Sequence, residues 1–237
     1  LAAALDAVAE VVVVAPDRGR SAVGHAVTMT EPLRAWRERW ADGREVFVVD
    51  GMPADCVKIG VKALLERRPD AVISGINLGG NAGVNVIYSG TVSAATEATI
   101  LGIPAAAVSL DTFTDADFGP AARVAAAVAS KILEEGLPPG VLLNVNVPAV
   151  AAEKLAGVRI TRQSRAVMED RYEERLDPRG RRYFWLAAER MVESDPREDD
   201  DITALREGYV SITPIHYDLT DDPARRLIAA WARELVF

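Results

Sequence analysis

The 237 residues are 49% apolar and carry a formal net charge of −8, from 27 basic and 35 acidic side chains. That length and apolar content suit one large α/β domain or a domain with an appendage. The negative balance is a poor match for polymeric nucleic acid, and no apolar run reaches the ~18–20 residues of a membrane span. One cysteine, Cys56, cannot form an internal disulfide, and no charged-then-apolar leader opens the sequence, so a cytoplasmic protein is expected.

Residues 1–10, LAAALDAVAE, have helical composition, and Val11–Val14 with the exit Ala15-Pro16-Asp17 predicts a buried strand. A parallel sheet normally opens on a strand, so the expectation is that a strand and its loop precede Leu1. The loop RGRSAVGHA, residues 18–26, then falls at the C-terminal end of a strand, the ligand face of such a sheet. Within it Ser21 is either a turn serine or a ligand for a hard cation or phosphate. Val27–Thr30, Leu33–Trp36 and Glu45–Val49 read as strands. A helix follows from about Pro53 to Leu65, with Asp55 either as a favourable charge on its dipole or as a site-facing carboxylate, and Cys56 on its apolar face.

The stretch from Pro69 to Leu110 organises the rest. Ala71-Val72-Ile73 begins a strand, and a polar loop follows with Asn77, Gly79, Gly80, Asn81, Gly83 and Asn85. Ser89-Gly90-Thr91 leads into a helix over 92–101, Gly102-Ile103-Pro104 ends it, and 105–110 is a second buried strand. That is one βαβ unit, and a Ser-Gly-Thr turn at its helix N-terminus offers N–H groups and hydroxyls to a phosphate. The same residues serve equally as a helix cap. A helix over 120–135 and a strand over 141–147 complete the core. Asn144 and Asn146 share one face of that strand.

Beyond residue 150 the composition changes. Residues 151–237 are expected to form a β-hairpin arm and a C-terminal oligomerisation segment beside a 1–150 core. The arm turns at Asp177-Pro178-Arg179-Gly180 and returns through the aromatic Tyr183-Phe184-Trp185. The acidic stretch 193–201 reads as a solvated loop, 202–207 as a short helix, 209–213 as a strand, and 225–237 as one amphipathic helix.

Several segments in order, VVAPDRGRSAVGHAVT, GMPADCVKIGV, the whole 69–110 stretch, LLNVNVP, TRQSR, DPRGRRYFWL and GYVSITPIHYDLT, resemble the SurE survival-protein family over residues 11 to 220. The resemblance implies a Rossmann-like, mainly parallel sheet flanked by helices, with a hairpin arm and a swapped C-terminal element that builds dimers or tetramers. It implies a metal-dependent phosphatase acting on nucleoside 5′- and 3′-monophosphates, and possible action on short polyphosphate, with one Mg²⁺ or Mn²⁺ per subunit. The family's serine and asparagine metal ligands match Ser21 and Asn77. Its phosphate-lining positions match Asn81, Ser89, Gly90 and Thr91, with loop N–H groups holding the equatorial oxygens. The family's two remaining metal ligands are adjacent aspartates in an Asn-Asp-Asp-Gly loop, one of them the expected base or nucleophile orienter; these 237 residues lack that loop, and its expected place is before Leu1. A chain truly without them would be an inactive nucleotide-binding or scaffold protein. His25 and His216 are either proton shuttles or surface or structural histidines, and the second is the preferred reading.

Overall fold

The computed structural model describes residues 1–192 and 195–235. A four-residue helix α1 (Ala2–Leu5) precedes β1 (Val13–Pro16), β2 (Ala35–Arg39) and β3 (Glu45–Val49). Then come α2 (Pro53–Ile59), continued by a π-turn over Gly60–Leu64, and β4 (Val72–Leu78). A short α3 (Asn85–Tyr88) leads into α4 (Gly90–Ile100), β5 (Ala105–Asp111), α5 (Phe118–Glu135) and β6 (Val141–Pro148). The remaining elements are β7 (Val158–Ile160), the arm strands β8 (Val167–Leu176) and β9 (Arg182–Val192), α6 (Asp201–Arg206), β10 (Val210–His216), α7 (Asp222–Ile228) and α8 (Trp231–Glu234).

The central sheet has the order β4-β5-β6-β10-β7, parallel from β4 to β6, with β10 antiparallel to β6 and β7 parallel to β10. Two strands from beyond residue 150 therefore join the core sheet. In β5 every residue from Ala105 to Leu110 is buried. Three alanines in succession are poor strand formers by themselves, yet their small side chains let helices approach both faces closely. Helix α4 packs on one side through Val92, Ala95 and Ala98, and α5 on the other through Ala121, Ala125, Val128 and Ile132, which recur on one helical face. Asp117 caps the start of α5 by accepting the Gly119 N–H at 2.9 Å, and Gly136, at φ 72°, ends it. This mixed α/β core agrees with the expected fold class.

A second sheet, β1-β3-β2, stands beside the first. Among the described residues β1 pairs only with β3 and β4 only with β5, so each has one backbone edge with no described partner. Both strands line one cleft of about 2170 Å³. They are half-buried to exposed where β5 is buried from Ala105 to Leu110, in keeping with an uncovered edge on each.

Three local expectations need correction. Residues 1–10 are not one helix: α1 ends at Leu5, and the chain turns through Val8 N–H to Leu5 O at 2.9 Å. Val27–Thr30 is not a strand, because the Thr28 N–H and hydroxyl are taken by the Asp55 carboxylate rather than by a neighbouring strand. The C-terminal helix is two short pieces, α7 and α8, and residues 236–237 of the expected helix lie outside the described residues, as do 193–194 of the acidic loop.

Candidate functional site

All six residues singled out from the sequence, Ser21, Asn77, Asn81, Ser89, Gly90 and Thr91, line the same cleft. Three pieces of chain bring them there. The first is the loop after β1. Its Gly24 N–H donates to Tyr88 O at 3.0 Å, and its Arg20 carbonyl and Val23 side chain pack where a Cβ on Gly90 would sit. The nearest atom to that Cβ is Pro53 Cγ of α2 at 3.0 Å, so a side chain at position 90 would crowd α2 as well as that loop. Below the loop, His25 Nε2 bonds Glu97 at 2.9 Å and Lys58 Nζ donates to the other Glu97 oxygen at 3.0 Å. Glu97 is 4% exposed, so one buried carboxylate on α4 ties the loop and α2 together. His25 thus tethers the loop to α4, and His216 accepts the Asp218 N–H at 2.8 Å through Nδ1.

The second piece is the end of β4. Asn77 Nδ2 donates to the carbonyls of Leu78 and Gly79 at 3.1 and 2.8 Å. The amide is thereby oriented, and its Oδ1 faces the Thr91 hydroxyl at 3.4 Å. Asn77 is half-buried and Ser21 is exposed.

The third piece is the start of α4. Ser89 Oγ accepts the Val92 N–H at 3.1 Å, so this serine does cap its helix. The cap leaves the N–H groups of Gly90 and Thr91 in the first turn, which have no intrahelical acceptor, beside the Thr91 hydroxyl. These donors and the positive end of the helix suit an anion.

The glycine loop between β4 and α3 does something different from the expected cradle. Gly79 N–H donates to Leu110 O at 2.9 Å, and Gly80 lies against the Asp111 carboxylate. Asn81 N–H donates to Asn146 Oδ1 at 2.7 Å, and Gly83 N–H to Asp201 Oδ2 at 3.0 Å. The Gly79, Asn81 and Gly83 amides are spent inside the protein and are not free to hold phosphate oxygens. Asn81 is itself buried: its Nδ2 donates to Ser109 Oγ at 2.6 Å, and its carbonyl accepts from Asn144 Nδ2 at 2.8 Å and Asn146 Nδ2 at 3.3 Å. The loop is a rigid shelf bolted to β5 and β6, with Asn81 as the bolt.

Sequence reasoning missed Glu97, Asp111 and Asp201. Asp111 closes β5 at the cleft, and desolvation pushes its carboxyl up against the opposing pull of the Gly80 N–H. Burial does the same to Asp201. A signal for the shelf did exist in VLLNVNV: polar side chains at alternate positions of a buried strand require partners from another segment. Asp55 is buried and bonds Thr28 and the Met52 N–H at 2.9 Å, so it is a capping and tethering carboxylate. Cys56 is 2% exposed and its thiol is pushed up to about 12, chiefly by burial, as befits a core residue.

Among the described residues no three or more His, Cys, Asp or Glu side chains converge as a metal cluster. Ser21 and Asn77 offer only neutral oxygens, whereas hard divalent ions are held by six or so oxygens with carboxylates among them. The residues on hand do not by themselves make such a site. No described helix is long and apolar enough to cross a membrane.

Comparison with known proteins gives one consistent result. The family model described as "Survival protein SurE" matches residues 1–170. A protein named 5′-nucleotidase SurE from Symbiobacterium thermophilum is 51% identical over 212 residues, covering 89% of this chain and 82% of the relative. One of the same name from Syntrophotalea carbinolica is 47% identical over 234 residues, covering 98% and 90%. The crystal structure of a SurE protein from Aquifex aeolicus superposes with a TM-score of 0.82 at 40% identity, covering 98% of this chain and 92% of that one.

Proposed function

The chain belongs to the SurE survival-protein family, and on that premise we infer that the cleft between the two sheets is the active site of a phosphomonoester hydrolase. It is a 5′-nucleotidase, releasing phosphate from nucleoside monophosphates. The observation that carries the placement is the convergence of Ser21, Asn77, Ser89, Gly90 and Thr91 on one cleft wall, at the C-terminal end of β4 and the N-terminus of α4.

In this reading the phosphate sits against the first turn of α4. The Gly90 and Thr91 N–H groups and the Thr91 hydroxyl donate to its oxygens, and Gly90 lets the backbone come close. Asn77 presents Oδ1 to the same space because its amide nitrogen is held by two carbonyls. Ser89 keeps the turn wound, and Asn81 keeps the shelf beneath it rigid. Donors fixed before the substrate arrives lower the barrier because they need no rearrangement as charge develops.

The finer assignments are ours as well. We take Ser21 and Asn77 as neutral ligands of one divalent ion, Mg²⁺ or Mn²⁺, whose charge must be balanced by further carboxylates. The free edges of β1 and β4 would accept one more strand, and an Asn-Asp-Asp-Gly loop at its C-terminal end would deliver those carboxylates beside Ser21 and Asn77. 3′-Nucleotides and short polyphosphate belong to the proposed substrate range. Self-assembly through the arm and the α7–α8 segment fits the exposure of Tyr172, Phe184, Trp185, Leu227 and Trp231, and a cytoplasmic setting fits the lone buried thiol.

The test is phosphate release from a panel of nucleoside 5′- and 3′-monophosphates, with Mn²⁺ and after chelation, using protein from the complete reading frame. Release that needs the cation and is lost in Asn77→Ala supports the site. Release that survives Asn77→Ala unchanged refutes the placement.

A further inference from the structure

We propose that Asp201 and Gln163, at the root of the hairpin arm, are positioning residues that set the conformation of the glycine loop beneath the phosphate site. This rests on the phosphatase reading above.

Asp201 is wholly buried, at the first turn of α6. Its two carboxylate oxygens face two backbone amides from distant parts of the chain. Oδ2 accepts the Gly83 N–H at 3.0 Å and Oδ1 accepts the Ser164 N–H at 3.0 Å. Gln163 Nε2 donates to the Gly83 carbonyl at 2.9 Å. Both backbone groups of Gly83 are therefore held by side chains from the arm root, with one long local bond in addition, from the Val86 N–H to the Gly83 carbonyl at 3.4 Å. Gly83 has a φ of 56°, and a Cβ there would meet Ile202 Cδ1 at 3.2 Å, so the loop has little room to settle elsewhere.

The root is a rigid body. Arg162 N–H donates to Asp199 O at 2.9 Å, Asp201 N–H returns to Arg162 O at 3.0 Å, and Ala166 N–H donates to Ser164 Oγ at 3.1 Å. β8 begins at Val167, directly after it, and pairs along its length with β9. A shift of the arm thus reaches Gly83 through Asp201 and Gln163. From Gly83 the chain runs through α3 to Ser89 and the phosphate-facing turn.

Burying a carboxylate costs several kcal/mol before any bond is made. The cost is offset here by charge-assisted bonds that fix one loop amide and one root amide at a set separation. A purely space-filling role needs no ionised group, whereas holding two N–H donors at once needs an acceptor-only side chain, which a carboxylate is and an amide is not.

The experiment uses the enzyme from its complete reading frame and three variants. Asp201→Asn keeps the shape but turns one acceptor into a donor aimed at an N–H. Gln163→Ala removes the second contact from an exposed position, so it folds even if Asp201→Asn does not. Asp200→Asn weakens the α6 cap, where Asp200 accepts the Thr203 N–H at 2.7 Å, without touching Gly83. The readouts are KM and kcat for a nucleoside monophosphate, the inhibition constant of inorganic phosphate, exchange of the Gly83 amide, and melting temperature.

A misplaced loop is expected to raise KM and the phosphate constant about tenfold in Asp201→Asn and about threefold in Gln163→Ala. Exchange at Gly83 accelerates in both, while Asp200→Asn lowers melting temperature alone. KM and phosphate constants within about twofold of wild type in both loop variants overturn the proposal. Equal effects in the Asp200 control, which would mark a merely structural role, also overturn it. Absence of phosphate release from the wild type refutes the phosphatase reading instead, and the exchange measurement then still decides whether the two side chains hold the loop.

Discussion

Asn146 is where the shelf under the active site meets the core, and its removal separates the cost of holding the loop from the cost of chemistry. The side chain is fully buried on β6, accepting the Asn81 N–H at 2.7 Å and donating to the Asn81 carbonyl at 3.3 Å. Asn146→Ala removes both bonds, each contributing about 1 kcal/mol net. The carbonyl stays satisfied because Asn144 Nδ2 still donates to it at 2.8 Å. The Asn81 N–H does not: it is left buried without an acceptor, a penalty of about 1–3 kcal/mol. The expected loss is about 3 kcal/mol, allowing for partial relaxation. By contrast Asn77→Ala, which loses bonds to two neighbouring carbonyls and a long one from the Thr91 hydroxyl at the half-buried cleft, should cost only about 1 kcal/mol while removing activity. Urea unfolding followed by tryptophan fluorescence and by circular dichroism reads both, as a lower midpoint at constant slope. A loss below about 1 kcal/mol in Asn146→Ala would show that the loop is not anchored by this bond, and the shelf argument would fail.

Three further predictions follow from side chains away from the phosphate turn. Cys56, with its thiol pushed up to about 12, should not react with a disulfide reagent at pH 8 in the native protein and should react fully in denaturant; rapid native labelling would contradict its burial. Glu97→Gln weakens the bonds from His25 and Lys58, and because Lys58 is half exposed and can rehydrate, the stability loss should be only about 1–2 kcal/mol. A raised KM should accompany it as the Ser21 loop loosens, and an unchanged KM would dissociate the triad from the site. Burial pushes the Asp201 carboxyl above its ordinary 3.8, so above that value the folded state binds this proton more tightly than the unfolded one. Its contribution to stability therefore falls as pH rises from 3.8 through the raised value. The stability of wild type minus that of Asp201→Asn should decline over that window in a pH series of urea titrations, and a rising difference would reverse the sign argued here.

Much of the fold is decided by short-range chemistry that a sequence displays openly. The βαβ unit from Val72 to Asp111 lies where its punctuation puts it: Ser89 as cap, Gly102 at φ 73° as stop, and an apolar strand on either side. So does the arm, whose strands flank the Asp177–Gly180 turn. The ligand edge is legible for the same reason, since parallel strands leave their loops and helix N-termini at one end. Ser21, Asn77, Ser89, Gly90 and Thr91 share a cleft because β1 and β4 both end there and α3 returns the chain to the start of α4 at the same edge.

What sequence reading could not supply is who pairs with whom across distance. Thr28 looks like strand until Asp55 claims its amide, and the glycine loop looks like a phosphate cradle until Leu110, Asn146 and Asp201 take its N–H groups. β7 and β10 join the core sheet although they lie beyond an apparent change of composition. Each of these rests on a hydrogen bond whose two partners are far apart in the chain, and local pattern carries no information about which distant donor will satisfy a buried acceptor. The residue types that carry the chemistry were fixed by the sequence. Which of their donors remain free for a substrate was decided only when the chain packed, because a buried N–H must be satisfied before any ligand arrives.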